Sequence, residues 1–427
     1  MNAIAHPASY YAFSANDQAH RPALNSHEQA DVCVIGAGYT GLSSALHLAE
    51  RGLRVIVLEA ARVGFGASGR NGGQIVHSYS RDMDFIEKRY GDKSAQMLGS
   101  MAFEGGEIIR GIVDRYNIAC DLKRGGLFAA CNPKQMQELR DKAALWQRYG
   151  HKEMELIDAA GLKTYVGSER YVGGLVDHSG GHFHPLNLAQ GEAAAVESLG
   201  GMIYEGSPAT AIEPGEKVVV KTASGSVSAD YVVVAGNAYL GNLVPALQQK
   251  AMPCGTQVIT TEVLPQQLQR QLLPMDYCVE DCNYLLDYYR LTGDGRLLYG
   301  GGVTYGGREP DAIKDMIRPN MLTTFPQLQQ VKLEFAWTGN FLLTLTRIPQ
   351  FGRIGHNIYY AQGYSGHGIT STHLAGKLIA EALHGQADRF DAFAALPHYP
   401  FPGGRLFRIP FTAMGAWFYT LRDKLGM

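Results

Sequence analysis

A chain of 427 residues is too long for one ordinary hydrophobic core, and 46% hydrophobic with 18% charged residues describes a globular protein rather than a disordered one. A net charge of -2 leaves no basic footprint for nucleic acid, and six cysteines without a CxxC pair exclude a small disulfide-stapled framework. Free thiols, the absence of a signal core in residues 1–30 and the absence of an apolar run long enough to span a bilayer make the cytoplasm the expected location.

The first thirty residues, with the pair Tyr10-Tyr11, read as an arm lying on the body of the protein. Residues 32–60, VCVIGAGYTGLSSALHLAERGLRVIVLEA, then predict strand, glycine turn, helix and second strand. Gly36, Gly38 and Gly41 fill a GxGxxG pattern: a tight turn, close approach of backbone N–H groups to a pyrophosphate, and close helix–strand contact. Glu59 ends the second strand, where a carboxylate can accept hydrogen bonds from an adenosine ribose. Strand, turn, helix, strand and acid together predict an adenine dinucleotide, without separating FAD from NAD. The next stretch, GFGASGRNGGQ, is either a loop wrapped against a ligand or a surface loop; its place directly after the dinucleotide unit favours the ligand.

Amphipathic spacing predicts helices over 95–116 and 134–149, with a strand at 126–130 between them. His178, His182 and His184 beside Asp177 lack the helical spacing of a zinc site, and no metal is expected. A helix led by Pro185 follows, then strands at 201–204, 218–222, 227–229 and 231–235; the last either delivers Ala235, Gly236 and Asn237 toward a nucleotide or is a core strand with a turn, and this stretch alone favours neither. Tyrosine-rich alternation between Cys254 and Trp337 predicts an antiparallel sheet; one face could line a pocket, although aromatic alternation is more often plain sheet packing. Residues 357–385 repeat strand, glycine turn and helix, with a helix N-terminus suited to developing negative charge. In the tail, Phe407, Phe411, Met414, Trp417, Phe418 and Leu421 share a helical stripe, expected to pack on the body or, as the lesser reading, to touch a membrane. These segments predict an arm (1–30), a nucleotide-binding domain (31–92, 172–248 and 341–395), a substrate domain (93–171 and 249–340) and a tail (396–427).

The dinucleotide unit, the Ser-Gly-Arg-Asn-Gly-Gly loop and the Gly-Tyr-Ser-Gly-His-Gly turn together resemble the FAD-dependent D-amino-acid oxidase superfamily over nearly the whole chain. The resemblance implies an α/β fold, α+β overall: an FAD-binding Rossmann-type domain with an inserted antiparallel-sheet substrate domain. It also implies FAD as cofactor. Gly36, Gly38, Tyr39, Thr40 and Gly41 would hold the pyrophosphate, and Glu59 with Ala60 the ribose. Gly66, Ala67, Ser68, Gly69, Arg70, Asn71, Gly72, Gly73 and Gln74 would lie along the flavin, with Ala209, Ala235 and Gly236 near the adenosine. Gly363, Tyr364, Ser365, Gly366, His367, Gly368, Ile369 and Thr370 would cover the pyrimidine edge of the ring.

Stretches such as DHSGGHFHPLNLA, MPCGTQVITTE and WTGNFLLTLTRIPQFGR are similar to a subgroup acting on a glutamylated polyamine. That implies oxidation of the terminal primary amine of gamma-glutamylputrescine to an aldehyde by dioxygen, releasing ammonia and hydrogen peroxide. Relatives that oxidise small α-amino acids usually carry an arginine after the Trp-Thr-Gly equivalent, where Asn340-Phe341 stands here. Sarcosine-oxidase-like relatives carry a lysine where Thr370 stands. Losing both cations suits an amine whose carboxylate sits far from the flavin. Tyr288, Tyr289 and Trp337 are expected as pocket walls, and Arg290 or Arg347 as partner of that carboxylate. His367 is expected either to accept the amine proton or only to hold the turn. The alternatives are an FAD-dependent dehydrogenase or oxidase of another amine or amino acid that passes electrons to a membrane acceptor, and a flavin- or NAD-binding protein without catalysis.

Overall fold

The structure, a computed structural model, describes residues 4–425; in the last helix the side chains at 405, 406, 416 and 418–425 lie outside the description. Two sheets organise the chain. In the first, His27–Ile35 is central, paired in parallel with Val55–Leu58 on one side and Ser226–Val234 on the other. Met202–Tyr204 extends one edge and Ile358–Gln362 the other, both in parallel, and Gln350–Ile354 closes the sheet antiparallel. The chain therefore leaves the central strand toward one side and later returns on the other. That reversal opens a crevice at the carboxyl ends of the strands, where doubly wound sheets bind ligands.

The central strands are fully buried, Val32, Cys33 and Val34 at 0% exposure, which explains the unbroken β-branched run in the sequence. The helix Tyr39–Ala49 packs beside Gly368–Leu383 at a close crossing: a Cβ at Gly376 would lie 2.4 Å from Ser43 Oγ, whose hydroxyl donates to the His373 carbonyl at 3.0 Å.

The second sheet has nine strands and is largely antiparallel, with the order Leu333–Thr344, Ala251–Thr261, Leu297–Tyr305, Tyr288–Leu291, Cys278–Asp281, Lys123–Ala130, Gly173–His182 and Gln74–Ile75; Met154–Asp158 also pairs with Gly173–His182. Cys278–Asp281 and Lys123–Ala130 pair in parallel.

Several expected boundaries fall differently. Gly173–His182 and Gln74–Ile75, expected in the nucleotide domain, belong to the second sheet, and Leu333–Thr344 runs across the expected border at 340/341. The helix expected over 95–116 is two helices, Asp92–Gly99 and Glu104–Tyr116, because Met101, Ala102 and the Phe103 cap form a turn between them. The strands expected at 227–229 and 231–235 are one, Ser226–Val234, long enough to pair with His27–Ile35 along its length.

The arm is locked down. Tyr11, fully buried, donates to the Asn71 carbonyl at 2.9 Å, and Tyr10 donates to Asp294 at 2.8 Å. The tail helix Gly404–Leu425 departs from expectation: Phe407, Phe411, Met414 and Trp417 are 48% to 67% exposed, while Arg408 ties the helix to the Gln248 and Ala251 carbonyls. Phe418 and Leu421 lie outside the described side chains. Among the described residues no helix is long and apolar enough to cross a membrane.

Candidate active site

A cavity of about 590 Å³ runs between the two sheets, lined at one end by Gly36, Glu59 and Ala209 and at the other by Tyr288, Glu280 and Arg347. Its volume lies in the range of cofactor and small-molecule sites.

At the first end the main chain does the work. Gly36 has φ +105°, a conformation L side chains rarely adopt, and a Cβ at Gly41 would lie 1.9 Å from the Gly36 carbonyl oxygen. The helix behind them starts at Gly38 without a side-chain cap of its own; the Tyr39 N–H donates to Ser68 Oγ at 2.9 Å. Its positive end thus faces the cavity, as anionic phosphates require. The Glu59 oxygens accept from the N–H groups of Ala37 at 2.7 Å and Ala61 at 2.8 Å, fixing the carboxyl at the cavity wall. Burial pushes that carboxyl above its ordinary value.

The glycine loop is braced from behind. Asn71 Nδ2 donates to the carbonyls of Ala67 and Ser68, at 3.0 and 2.8 Å, and its Oδ1 accepts from the Gly73 N–H at 2.8 Å. Arg70 points away from the cavity: its guanidinium reaches Tyr239 Oη and the Thr338 carbonyl, and it lies over the Phe65 ring. Gly66, Ala67, Ser68, Asn71, Gly72 and Gln74 line the cavity, whereas Gly69, Arg70 and Gly73 support from outside. Ala60, Ala235 and Gly236 line it too.

In the far turn, Tyr364, Ser365, Gly366, His367, Gly368 and Ile369 line the cavity; Gly363 and Thr370 do not. The Gly363 N–H donates to Asn237 Oδ1 at 3.0 Å, and Thr370 Oγ1 donates to the Val76 carbonyl at 2.9 Å. Tyr364 Oη and Thr40 Oγ1 meet at 2.8 Å, joining the two cavity-facing helix starts. Desolvation, then the Lys142 ammonium, lowers His367 to about 4, so its imidazole is neutral near pH 7.

The pocket-wall residues divide by strand alternation. Tyr288 lines the cavity, its ring against Gly72 and its hydroxyl 3.3 Å from Thr256 Oγ1. Tyr289 is a correction: it faces the opposite side, stacked on Tyr299 and bonded to Tyr171 Oη at 3.0 Å within the second core. Trp337 is another: it lies behind the glycine loop, its Nε1 donating to the Arg70 carbonyl at 3.0 Å and its ring against Tyr11. Arg290 is a third. At 2% exposure it donates to the Gly72 carbonyl (2.7 Å), the Leu291 carbonyl (3.0 Å) and Tyr11 Oη (3.0 Å), so it anchors the loop and does not line the cavity. Arg347 does line it, donating to Tyr284 Oη at 2.7 Å.

Glu280 and Arg81 also line the cavity and escaped the sequence reading. The signal for Glu280 was a pair of adjacent acids, Glu280-Asp281, ending a short run that begins Cys278-Val279. His178, His182 and His184 do not converge: they meet Tyr277 Oη, the Asp276 carbonyl and the Asn187 N–H respectively. The three groups that do come together, His77, His151 and Asp177, are buried, and Asp177 Oδ1 is hydrogen-bonded to His151 at 3.1 Å and to the Ser179 hydroxyl at 2.8 Å.

A family model described as FAD dependent oxidoreductase matches residues 31–382. The chain belongs to the FAD-dependent oxidoreductase family. The family's cofactor fits the residues present, because the glycine cradle at Gly36 and Gly41 admits no side chain and opens onto the cavity. Among relatives in this family, the chain is 64% identical to gamma-glutamylputrescine oxidoreductase of Escherichia coli over 423 residues, 99% of each chain. It is 42% identical to a probable oxidoreductase OrdL of Haemophilus influenzae over 98% of each. Its fold matches glycine oxidase of Geobacillus kaustophilus with a TM-score of 0.72 at 21% identity, over 87% of this chain and 100% of that one. The protein is an FAD-dependent oxidoreductase.

Proposed function

We propose that this enzyme oxidises the terminal primary amine of gamma-glutamylputrescine to gamma-glutamyl-gamma-aminobutyraldehyde, releasing ammonia and hydrogen peroxide. The observation that carries this reading is 64% identity over 99% of both chains to an enzyme named for that substrate. The cavity is consistent with it. Phe341, an apolar side chain, lines the wall, and the Thr370 hydroxyl is already given to a carbonyl, so neither position offers a cation to an α-carboxylate. The cationic side chains lining the cavity are Arg81 and Arg347, suited to a carboxylate at the glutamyl end.

Gly36–Gly41, Glu59 and the loop 66–74 would hold FAD, which would supply the acceptor for the two electrons and hydrogen from the carbon beside nitrogen, with dioxygen as their proposed destination. The chain's own part is to bind and orient the amine. Tyr288 bounds the space beside Gly72, Arg347 holds the distant carboxylate, and the apolar walls favour the neutral amine over its cation. A panel of gamma-glutamylputrescine, putrescine, glycine and sarcosine tests this. The glutamylated amine is expected to show the highest kcat/KM by about tenfold or more; preference for glycine or sarcosine refutes it.

The exposed face formed by Phe407, Phe411, Met414 and Trp417 favours a second reading, electron delivery to a membrane acceptor. Peroxide measured against aldehyde in air separates the two. Equal yields support the oxidase, and aldehyde without peroxide supports the dehydrogenase.

A further inference from the structure

The cavity is lined by two carboxyl groups, and they are not alike. Glu59 is held by two backbone N–H donors at the nucleotide end. Glu280 sits on the short strand Cys278–Asp281, directly opposite Tyr288 in the antiparallel register, and lines the same wall as that tyrosine. Among the described residues its carboxylate has no hydrogen-bond partner. Lys142, the charge that draws on it most, is bound to Asp82 at 3.3 Å and lies over the Phe128 and Trp146 rings at 5.2 and 4.8 Å. The other charge bearing on it is the neighbouring Asp281 carboxylate, itself paired with Arg170 at 3.0 Å. A part-buried carboxylate without a partner, facing an apolar cavity, is stabilised most by a cation that enters the cavity.

We infer that Glu280 receives the substrate's terminal ammonium and takes its proton before the carbon–hydrogen bond breaks. The inference rests on the amine-oxidation reading above. In the step, one N–H bond of the ammonium breaks and one O–H bond forms at Glu280, leaving a neutral amine with its lone pair and a neutral carboxylic acid. The lone pair can then form the C=N bond as the carbon's hydrogen and electron pair leave to bound FAD. Water adds to the resulting iminium to give aldehyde and an ammonium ion, and the Glu280 proton returns to solvent.

The electrostatics suit this task. Desolvation raises Glu280 from the ordinary glutamate value to about 7, toward an alkylamine near 10, so proton transfer between them spans a smaller gap than in water. In low dielectric, replacing a charged pair by two neutral groups relieves the burial penalty on both. His367 is a poorer acceptor, because the burial that keeps it neutral also disfavours its protonated form.

The test is Glu280→Gln in the FAD holoenzyme, read first by equilibrium binding. The probe is an analogue of the substrate in which the amine-bearing carbon carries two methyl groups and no hydrogen, so that it binds without turnover. Glu280→Gln is expected to weaken its binding about tenfold or more and to lower kcat/KM for the oxidisable amine about a hundredfold. The limb near pH 7 in the wild-type profile is expected to disappear. Wild-type affinity for the analogue together with an unchanged limb overturns the inference. If the glutamine variant fails to retain FAD, Glu280→Asp takes its place: withdrawing the carboxylate by one methylene is expected to lower kcat at least about tenfold, and a wild-type rate overturns the inference. If the wild-type enzyme prefers another primary amine, the substrate reading fails while Glu280 is still judged on that amine's dimethyl analogue.

Discussion

At the end of the cavity proposed for the nucleotide the lining is backbone: Gly36 and Gly41 leave room, Ser68 and Asn71 brace the loop, and the start of the Tyr39–Ala49 helix faces the cavity. At the opposite end, proposed for the amine, it is side chains from separate strands and turns, with Glu280, Tyr288, Arg347 and His367 drawn from across nearly ninety residues of sequence. A backbone cradle accepts one residue type at its closest points, so it fails abruptly when altered. A side-chain pocket is adjustable, and its changes show as graded shifts in affinity and rate.

The sharpest way to break that contrast is Gly41→Ala. The added methyl has no space beside the Gly36 carbonyl, and the variant is expected to lose about 3 kcal/mol or more and to purify without flavin absorbance. Retained FAD at wild-type stability would show that the helix–strand contact is not what holds the cradle.

Next in size is Arg290→Leu. It strips a donor from two carbonyls and Tyr11 Oη, with an expected cost of about 3 kcal/mol in chemical denaturation. In the protein that remains folded, KM for the amine should stay near wild type, because the residue braces the loop from behind.

Arg347→Leu should act in the opposite way. Stability is nearly kept, while KM for gamma-glutamylputrescine rises about tenfold and that for putrescine, which has no carboxylate, does not change. An equal rise for both amines removes Arg347 from carboxylate recognition.

A smaller effect concerns stability and pH. Because burial raises Glu280 to about 7, the fold favours its protonated form, and wild-type stability declines as pH rises from the ordinary glutamate value through about 7. The melting temperature of Glu280→Gln relative to wild type should therefore rise by a few degrees between pH about 4 and pH about 8. A constant difference across that range shows that the carboxyl is not desolvated.

The same division explains what could be read from the sequence. The glycine turn that lines the first end of the cavity was legible because Gly36, Gly38 and Gly41 stand at fixed spacing, with strand and helix periodicity on either side. FAD, rather than NAD, was legible from the loop 66–74 and the turn 363–370 taken together. The amine end was legible only in part. Tyr288 and Tyr289 are adjacent in the chain, and only the register against Glu280 and Val279 decides which one faces the cavity. Arg290 and Trp337 bear the residue types expected of a binding site, yet they serve the rear of the loop, a role that depends on where Tyr11 docks. The domain borders were misread where Gly173–His182 crosses into the second sheet, since a buried, glycine-rich strand looks alike in either setting.

Tyr11 has a consequence for how the chain is made. Its hydroxyl meets Asn71 and Arg290, the latter 279 residues away, and its ring packs on Trp337. During synthesis the arm emerges before both sheets, yet its berth is complete only after Arg290 and Trp337 have left the ribosome. The arm is therefore translated ahead of both sheets and settles after them, fastening the loop 66–74 only once they have formed.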